Sequence, residues 1–312
     1  MCTKVNALSC HKRFYFRRKG PPPVLSLTEA VAEVKSSDRI YFHGVAAFPL
    51  TIAQALASRS SELNNVEINH LHLELNNPLS EPEFKDSFFV NNLFVGANQR
   101  KAVDEGRSSY IPCFLSEIPK LMRTGLLTPD WAFLNLSPPD RHGYCSLGVE
   151  VATSLAAAET AKHVIAVLNP NQPRTHGHSH IHLHCLDGII TDPAAIQPLP
   201  VHPPPHPTHE EERIAFHIAS LVPDGACLQM GIGGIPDAVL AALSDHKDLG
   251  VHTEMFQDGL IPLIESGVVT GARKGHMRGK IVTSFVMGTQ NLYDFVKYFS
   301  FLTLPILIHC CV

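Results

Sequence analysis

Three groups of residues carry the types and spacings that chemistry needs. The first is Glu254, within Val251-His-Thr-Glu-Met-Phe-Gln-Asp-Gly259. A carboxylate near apolar Met255 and Phe256 is expected to be partly desolvated, which suits nucleophilic or acid/base work. A solvated loop carboxylate is the plain alternative. The second is the run Gly231-Ile-Gly-Gly-Ile-Pro236. Glycines between a strand and a helix let a ligand approach the main chain, and free N–H groups at a helix start suit a phosphate or an oxyanion. The run is neither G-x-G-x-x-G nor a Walker loop, so a tight turn without a ligand stays open. The third is Thr175-His-Gly-His-Ser-His-Ile-His-Leu-His184, in which five histidines alternate. An extended segment puts them on one face, and imidazole is a common metal ligand. No acid completes a ligand set there, Asp187 being the nearest. A fourth stretch, Ser137-Pro-Pro-Asp-Arg-His-Gly143, has the residues to line a pocket but no G-x-S-x-G elbow, so it does not support a serine hydrolase.

The elements that must hold these residues alternate in type. Ser26-Leu-Thr-Glu29 has capping-box spacing and predicts a helix to about Lys35. Strands are expected at 39–43, 66–75, 88–96, 131–137 and 163–169, and helices at 116–124 and 150–162. Six prolines in Pro198–Pro207 then interrupt the alternation and mark a stiff connection. Beyond it a helix (209–221), a short strand (226–230), the glycine turn and a helix (237–243) follow. Glu254 and the glycine run are thereby both expected at carboxyl ends of strands, where open α/β sheets bind ligands. The spacing G-x-x-x-x-P recurs in Gly44-Val-Ala-Ala-Phe-Pro49 and Gly231–Pro236, each after a helix and a strand. Strands interleaved with helices, twice over, predict an α/β fold of two similar open, mostly parallel domains.

Composition bounds the rest. The chain has 312 residues, enough for two domains, with 45% apolar and 17% charged residues, which excludes a wholly disordered chain. Its net charge of −4 argues against a nucleic-acid partner. The first 28 residues hold six basic residues and no acid. A basic leader over 1–24 has the makings of a mitochondrial transit peptide, with a basic tail as the alternative. Eight scattered cysteines without a CxxC pair predict reduced thiols. The apolar stretch 295–312 holds Lys297 and Pro305 and is too short for a membrane anchor.

Seven collinear segments resemble the acetyl-CoA hydrolase/transferase family of class I CoA-transferases, which includes acetate, succinate and 4-hydroxybutyrate CoA-transferases. They are His43-Gly-Val-Ala-Ala-Phe-Pro49, Gly106-Arg-Ser-Ser-Tyr-Ile-Pro112, Ser137-Pro-Pro-Asp-Arg-His-Gly-Tyr144, Leu168-Asn-Pro-Asn-Gln-Pro-Arg174, Met230-Gly-Ile-Gly-Gly-Ile-Pro236, His252-Thr-Glu-Met-Phe-Gln-Asp-Gly259 and Met287-Gly-Thr-Gln-Asn-Leu-Tyr-Asp294. The resemblance implies two CoA-transferase-like domains, at 25–197 and 208–312 around a linker at 198–207, the second incomplete. It implies Glu254 as the covalent nucleophile and Gly231, Ile232, Gly233 and Gly234 as the loop contacting coenzyme A. The implied activity moves CoA between an acyl-CoA, such as acetyl-CoA, and a short-chain carboxylic acid through a glutamyl-CoA thioester. Acyl-CoA and carboxylate are then the substrates. No metal and no membrane partner are expected, a homo-oligomer is compatible, and the basic leader, not the resemblance, predicts a location in the mitochondrion. Segment 297–312 departs from the family pattern, so low activity of this chain by itself is an expectation. Acetyl-CoA hydrolysis, a histidine-cluster metal hydrolase and a non-catalytic CoA-binding protein are the alternatives.

Overall fold

The computed structural model describes residues 20–203, 206–299 and 306–308, so most of the expected leader lies outside the described residues. The strands are β1 (Arg39–Phe42), β2 (Val66–His70), β3 (Phe88–Asn92), β4 (Ser108–Tyr110), β5 (Trp131–Leu136), β6 (Tyr144–Ser146), β7 (His163–Leu168), β8 (His176–Gly177), β9 (His180–His182), β10 (Gly188–Ile190), β11 (Cys227–Leu228), β12 (Gly250–Val251), β13 (Met255–Phe256), β14 (Ile281–Thr283), β15 (Phe285–Val286) and β16 (Ile306–Ile308). They divide between two compact units. One contains residues 20–172 and 180–200; the other contains 173–179 and the described residues from 201 to 308.

The first unit is built on a seven-stranded sheet in the order β10-β7-β5-β1-β2-β3-β4, and every pairing in it is parallel. The central strands β1 and β5 are apolar runs buried almost throughout, as a sheet covered on both faces requires. Phe42 of β1 packs against Phe48 and Phe133, with ring centroids 5.5 and 5.4 Å apart. The helix Leu27–Ala32 starts with the expected capping box: Ser26 accepts from the Glu29 N–H, and Glu29 from the Ser26 N–H. The edge strands β4 (Ser-Ser-Tyr) and β10 (Gly-Ile-Ile) are three residues each, too short for the sequence pattern to announce them.

Successive strands run outward from β1 on one side and from β5 on the other, so the winding reverses between them. A crevice at their carboxyl ends follows from that reversal. A buried polar cluster lies at the carboxyl ends of β1 and β5. The Asn135 N–H donates to His43 Nδ1 (3.2 Å), so Nε2 carries the proton and donates to the Glu150 carbonyl at 2.9 Å. The Glu150 carboxylate lies 3.5 Å from the same nitrogen and accepts from the Thr153 N–H (3.0 Å) and the Ser154 hydroxyl. Val45, a β-branched residue, is held at φ 55° in the loop that follows, which costs energy that the surrounding packing must supply.

The second unit is also an open parallel arrangement. Cys227 and Leu228 of β11 pair with Gly250 and Val251 of β12, β13 pairs with β15, and β16 lies between β14 and β8. A single bridge between His252 and Val282 joins the β12 and β14 groups. Both units are therefore α/β with parallel sheets, as expected. Among the described residues no helix is long and apolar enough to cross a membrane.

Burial pulls the pKa of His70 and His72 down to about 4 and that of His43 below its ordinary value, against the opposing pull of Glu150 on His43. A histidine buried neutral leaves the unfolded chain as the better proton binder below pH 6.5. Stability of this unit is thus full above that pH and falls as the pH drops from 6.5 towards 4, by about 1 kcal/mol per pH unit for each histidine. The single tryptophan, Trp131, sits in β5, so urea unfolding followed by its fluorescence at a series of pH values measures this loss.

Candidate functional site

The glycine loop and Glu254 leave the carboxyl ends of two adjacent strands. The pairing of β11 with β12 continues past the end of β12: the His252 N–H donates to the Leu228 carbonyl at 3.0 Å. Thr253, 1% exposed, then joins the two segments. Its hydroxyl accepts from the Met230 N–H at 2.9 Å and lies 3.1 Å from the carbonyl oxygens of Met230 and Met255. Its own N–H donates to the Val282 carbonyl at 2.9 Å. Residue 231 opens the loop directly after Met230, and Glu254 directly follows Thr253. One buried hydroxyl thus fixes where both segments depart.

Glu254 is held by its main chain while its side chain is left exposed. Its carbonyl accepts from the N–H groups of Ser284 (2.9 Å) and Phe285 (3.1 Å) and from the Thr283 hydroxyl (3.0 Å). Met255 and Phe256, the two residues that follow it, are buried. The protein around the exposed carboxyl still removes enough water to raise its pKa above the ordinary value. An ionised carboxylate of raised pKa is the more basic and the better nucleophile.

The loop's conformation depends on two glycines. Gly233 has φ 118°, a region that side chains rarely adopt. Gly234 stands against Glu211: a Cβ there would lie 2.5 Å from its carboxylate oxygens. That carboxylate belongs to the capping box of the helix His209–Ala219, where it accepts from the Thr208 N–H at 2.7 Å. The helix after the loop spans Gly234–Ala241, so it starts earlier than the expected 237. Pro236 falls within its first turn, where a missing N–H leaves no bond unmade. The helix has no side-chain cap, so its first N–H groups stay available beside the loop.

A cavity of about 100 Å³ adjoins the loop, lined by Ile232 and Gly233, by Met255 and Gln257 of the Glu254 segment, and by Asp237 and Asp258. The Glu254 side chain is not part of its lining. Asp258 accepts from the Thr289 N–H (2.9 Å) and from the Thr289 hydroxyl, which ties the 258–259 turn to the start of the helix Gln290–Phe299. Burial, aided by the charge of Asp258, raises the Asp237 pKa. Thr253, Thr283 and Gln257 are absent from the sequence-based candidates. The only sequence signal for Thr253 is its place directly before the glutamate.

The other candidates are spent on structure. Asp140 closes its own turn by accepting from the N–H groups of His142 and Tyr144, both at 2.9 Å. In the histidine run, β9 pairs antiparallel with β6, and the His182 ring nitrogen bonds the His142 carbonyl at 3.0 Å. Among the described residues no three His, Cys, Asp or Glu side chains are placed to hold a metal ion.

The chain is similar to known proteins. The family model of the acetyl-CoA hydrolase/transferase N-terminal domain matches residues 10–200. A succinyl-CoA:acetate/propanoyl-CoA:succinate CoA transferase of Fasciola hepatica is 41% identical over 271 residues, 86% of this chain and 56% of the relative. A stretch of that length spans Glu254 wherever it begins. A 4-hydroxybutyrate coenzyme A transferase of Clostridium kluyveri is 40% identical over 88% of this chain and 63% of its own. The crystal structure of RipA from Yersinia pestis superimposes with a TM-score of 0.83 at 32% identity, covering 88% of this chain and 66% of that one. The chain therefore spans between about half and two thirds of the length of the relatives it matches.

Replacing Thr253 with Val removes the hydroxyl and leaves the buried Met230 N–H without its acceptor. The expected cost is about 1–3 kcal/mol, read as a lower unfolding temperature of the second unit. Gly233→Ala is expected to cost about 1 kcal/mol or more, because alanine resists that backbone conformation.

Proposed function

Because the chain belongs to the acetyl-CoA hydrolase/transferase family, we propose that it moves coenzyme A between an acyl-CoA and a short-chain carboxylic acid, with Glu254 as the nucleophile. Acetyl-CoA is the donor of choice in this reading, and acetate or a similar acid the partner. The observation that supports it most is the pairing at Thr253: an exposed carboxylate of raised pKa, its main chain fixed by three donors, leaves the sheet beside a loop of glycines and uncapped N–H groups.

The steps follow from those groups. A Glu254 carboxylate oxygen attacks the acyl carbonyl of the thioester, and the carbon–sulfur bond breaks. This gives an acyl-glutamyl anhydride and a CoA thiolate. The thiolate attacks the glutamyl carbonyl and expels the donor's carboxylate, leaving a glutamyl-CoA thioester. The acceptor carboxylate then reverses both steps. Each attack builds an oxyanion, and a main-chain donor aimed at one contributes about 3–4 kcal/mol. Gly231, Ile232, Gly233 and Gly234 are the proposed cradle for CoA, whose contacts away from the sulfur lend binding energy to the reacting carbonyl. The exposure of Glu254 favours a second reading, acetyl-CoA hydrolysis, in which water instead of an acceptor attacks the covalent intermediate.

Glu254→Ala is expected to lower CoA exchange between acetyl-CoA and labelled acetate by more than about a thousandfold. Unchanged exchange would exclude this glutamate. Since only the ionised carboxylate attacks, the exchange rate should fall on the acid side with a midpoint above pH 4.5, as its raised pKa requires. The acid-free basic leader supports a mitochondrial location. Import assays should find about 20–25 residues removed, and an intact N-terminus on imported chain would contradict cleavage.

A further inference from the structure

We propose that Lys274 is a positioning residue for the acyl transfer: its buried ammonium clamps the strand that leads to Glu254 onto the strand that braces Glu254. The proposal rests on the reading of Glu254 as the nucleophile. Lysine is seldom fully buried, yet Lys274 is only 2% exposed. Its Nζ donates to the Val251 carbonyl at 2.8 Å and to the Lys280 carbonyl at 2.7 Å.

Each acceptor stands at the head of a segment that the site needs. Val251 ends β12, and Thr253 and Glu254 follow it closely. Lys280 directly precedes β14, which leads to Thr283, Ser284 and Phe285, the donors to the Glu254 carbonyl. The main chain joins these two strands through the His252–Val282 bridge and the Thr253 N–H on the Val282 carbonyl. Both links lie on the Glu254 side of Val251. On the other side the ammonium makes the link, with charge-assisted bonds stronger than those between neutral groups. Slack between the strands would carry the Glu254 segment away from its three donors. A misplacement of about 1 Å at a reacting group costs about a hundredfold in rate.

The surroundings of Lys274 are shaped to hold it. Its N–H donates to the Gly271 carbonyl at 3.3 Å, and its carbonyl accepts from Arg278 Nε at 2.9 Å. Its stem crosses β12 at Gly250, where a Cβ would lie 2.4 Å from Lys274 Cγ and 3.0 Å from Cδ. Gly250 has no positive φ, so its lack of a side chain serves to leave room for the lysine and not to allow a left-handed turn. A lysine that only packs its stem on a surface keeps its ammonium in water. Here the ammonium ends inside, on two carbonyls of different strands, and its removal leaves them without the donor that joins them.

The test measures CoA exchange between acetyl-CoA and labelled acetate by the full chain, at a temperature where every variant is folded by circular dichroism. Lys274→Met keeps the length and removes the donors. It should lower kcat at least tenfold and leave the KM for acetyl-CoA within threefold. Leu263→Ala opens a cavity on the buried face of the helix Leu260–Glu265 and lowers the unfolding temperature without touching the clamp, so its kcat should stay within twofold. Gly250→Ala pushes the lysine stem aside and should act like Lys274→Met; it replaces that variant if Lys274→Met does not fold. Amide hydrogen exchange reads the clamp without turnover. In the variant the amides of Thr253, Ser284 and Phe285 should exchange at least tenfold faster, and those of the helix Leu260–Glu265 less than threefold. A kcat within twofold of the unaltered chain, or amides that loosen uniformly or not at all, overturns the proposal. If Glu254→Ala abolishes CoA exchange while Lys274→Met leaves it intact, only the clamp falls. If Glu254→Ala still exchanges CoA, or the unaltered chain does not, the reading of Glu254 falls and the amides alone judge the clamp.

Discussion

A single buried hydroxyl carries the geometry of the second unit's site. Thr253 takes the Met230 N–H, faces the Met230 and Met255 carbonyls, and lends its own N–H to Val282. Three strand ends meet there. Without it the glycine loop and the Glu254 segment would have only two paired residues each to fix their spacing, since β11 and β12 are two residues long. The donors on the Glu254 carbonyl, the Thr283 hydroxyl and the N–H groups of Ser284 and Phe285, come from a second strand group, so the segment is braced from both sides while the carboxylate faces water. Catalytic groups work best when their own supports leave them little freedom.

The two glycine-to-proline loops show how one spacing serves two ends. In the first unit Pro49 is the N-cap of the helix Leu50–Ala57; in the second, Pro236 is the third residue of its helix. The first loop is anchored by a large buried side chain, Phe48, and stores strain at Val45. The second has Ile232 exposed at 65% and two glycines at its turn. The first loop is thus packed shut and the second left open to a ligand. Its neighbour Glu211, bound into a helix cap, stands where any residue larger than glycine at 234 would have to go.

Much of the fold was legible because buried parallel strands are plain apolar runs. Trp131–Leu136 and His163–Leu168 sit within a residue of their expected bounds. The Ser26–Glu29 cap was legible from spacing alone. Strands such as β4 and β10 were not, because at three residues on a sheet edge they are defined by partners far along the chain. The expected strand ends at 75 and 96 overran, since a run of apolar residues does not say where the ladder of hydrogen bonds stops. At the site, residue type pointed to the glutamate and the glycines. It could not point to Thr253 or Thr283, whose roles arise from contacts across 23 and 29 positions, nor to Gln257, whose amide is notable only because the fold buries it without a partner.

The central claim is that the Glu254 carboxyl becomes a thioester of coenzyme A. Borohydride reduces such a thioester to an alcohol and leaves a free carboxylate untouched. The protein is incubated with acetyl-CoA, reduced, digested and sequenced by tandem mass spectrometry. The account predicts that residue 254 is recovered as the glutamate-derived alcohol, only when acetyl-CoA was present, and that no other acidic residue is changed. Recovery of unmodified glutamate at 254 from protein that exchanges CoA, or reduction at a different carboxyl, would contradict it.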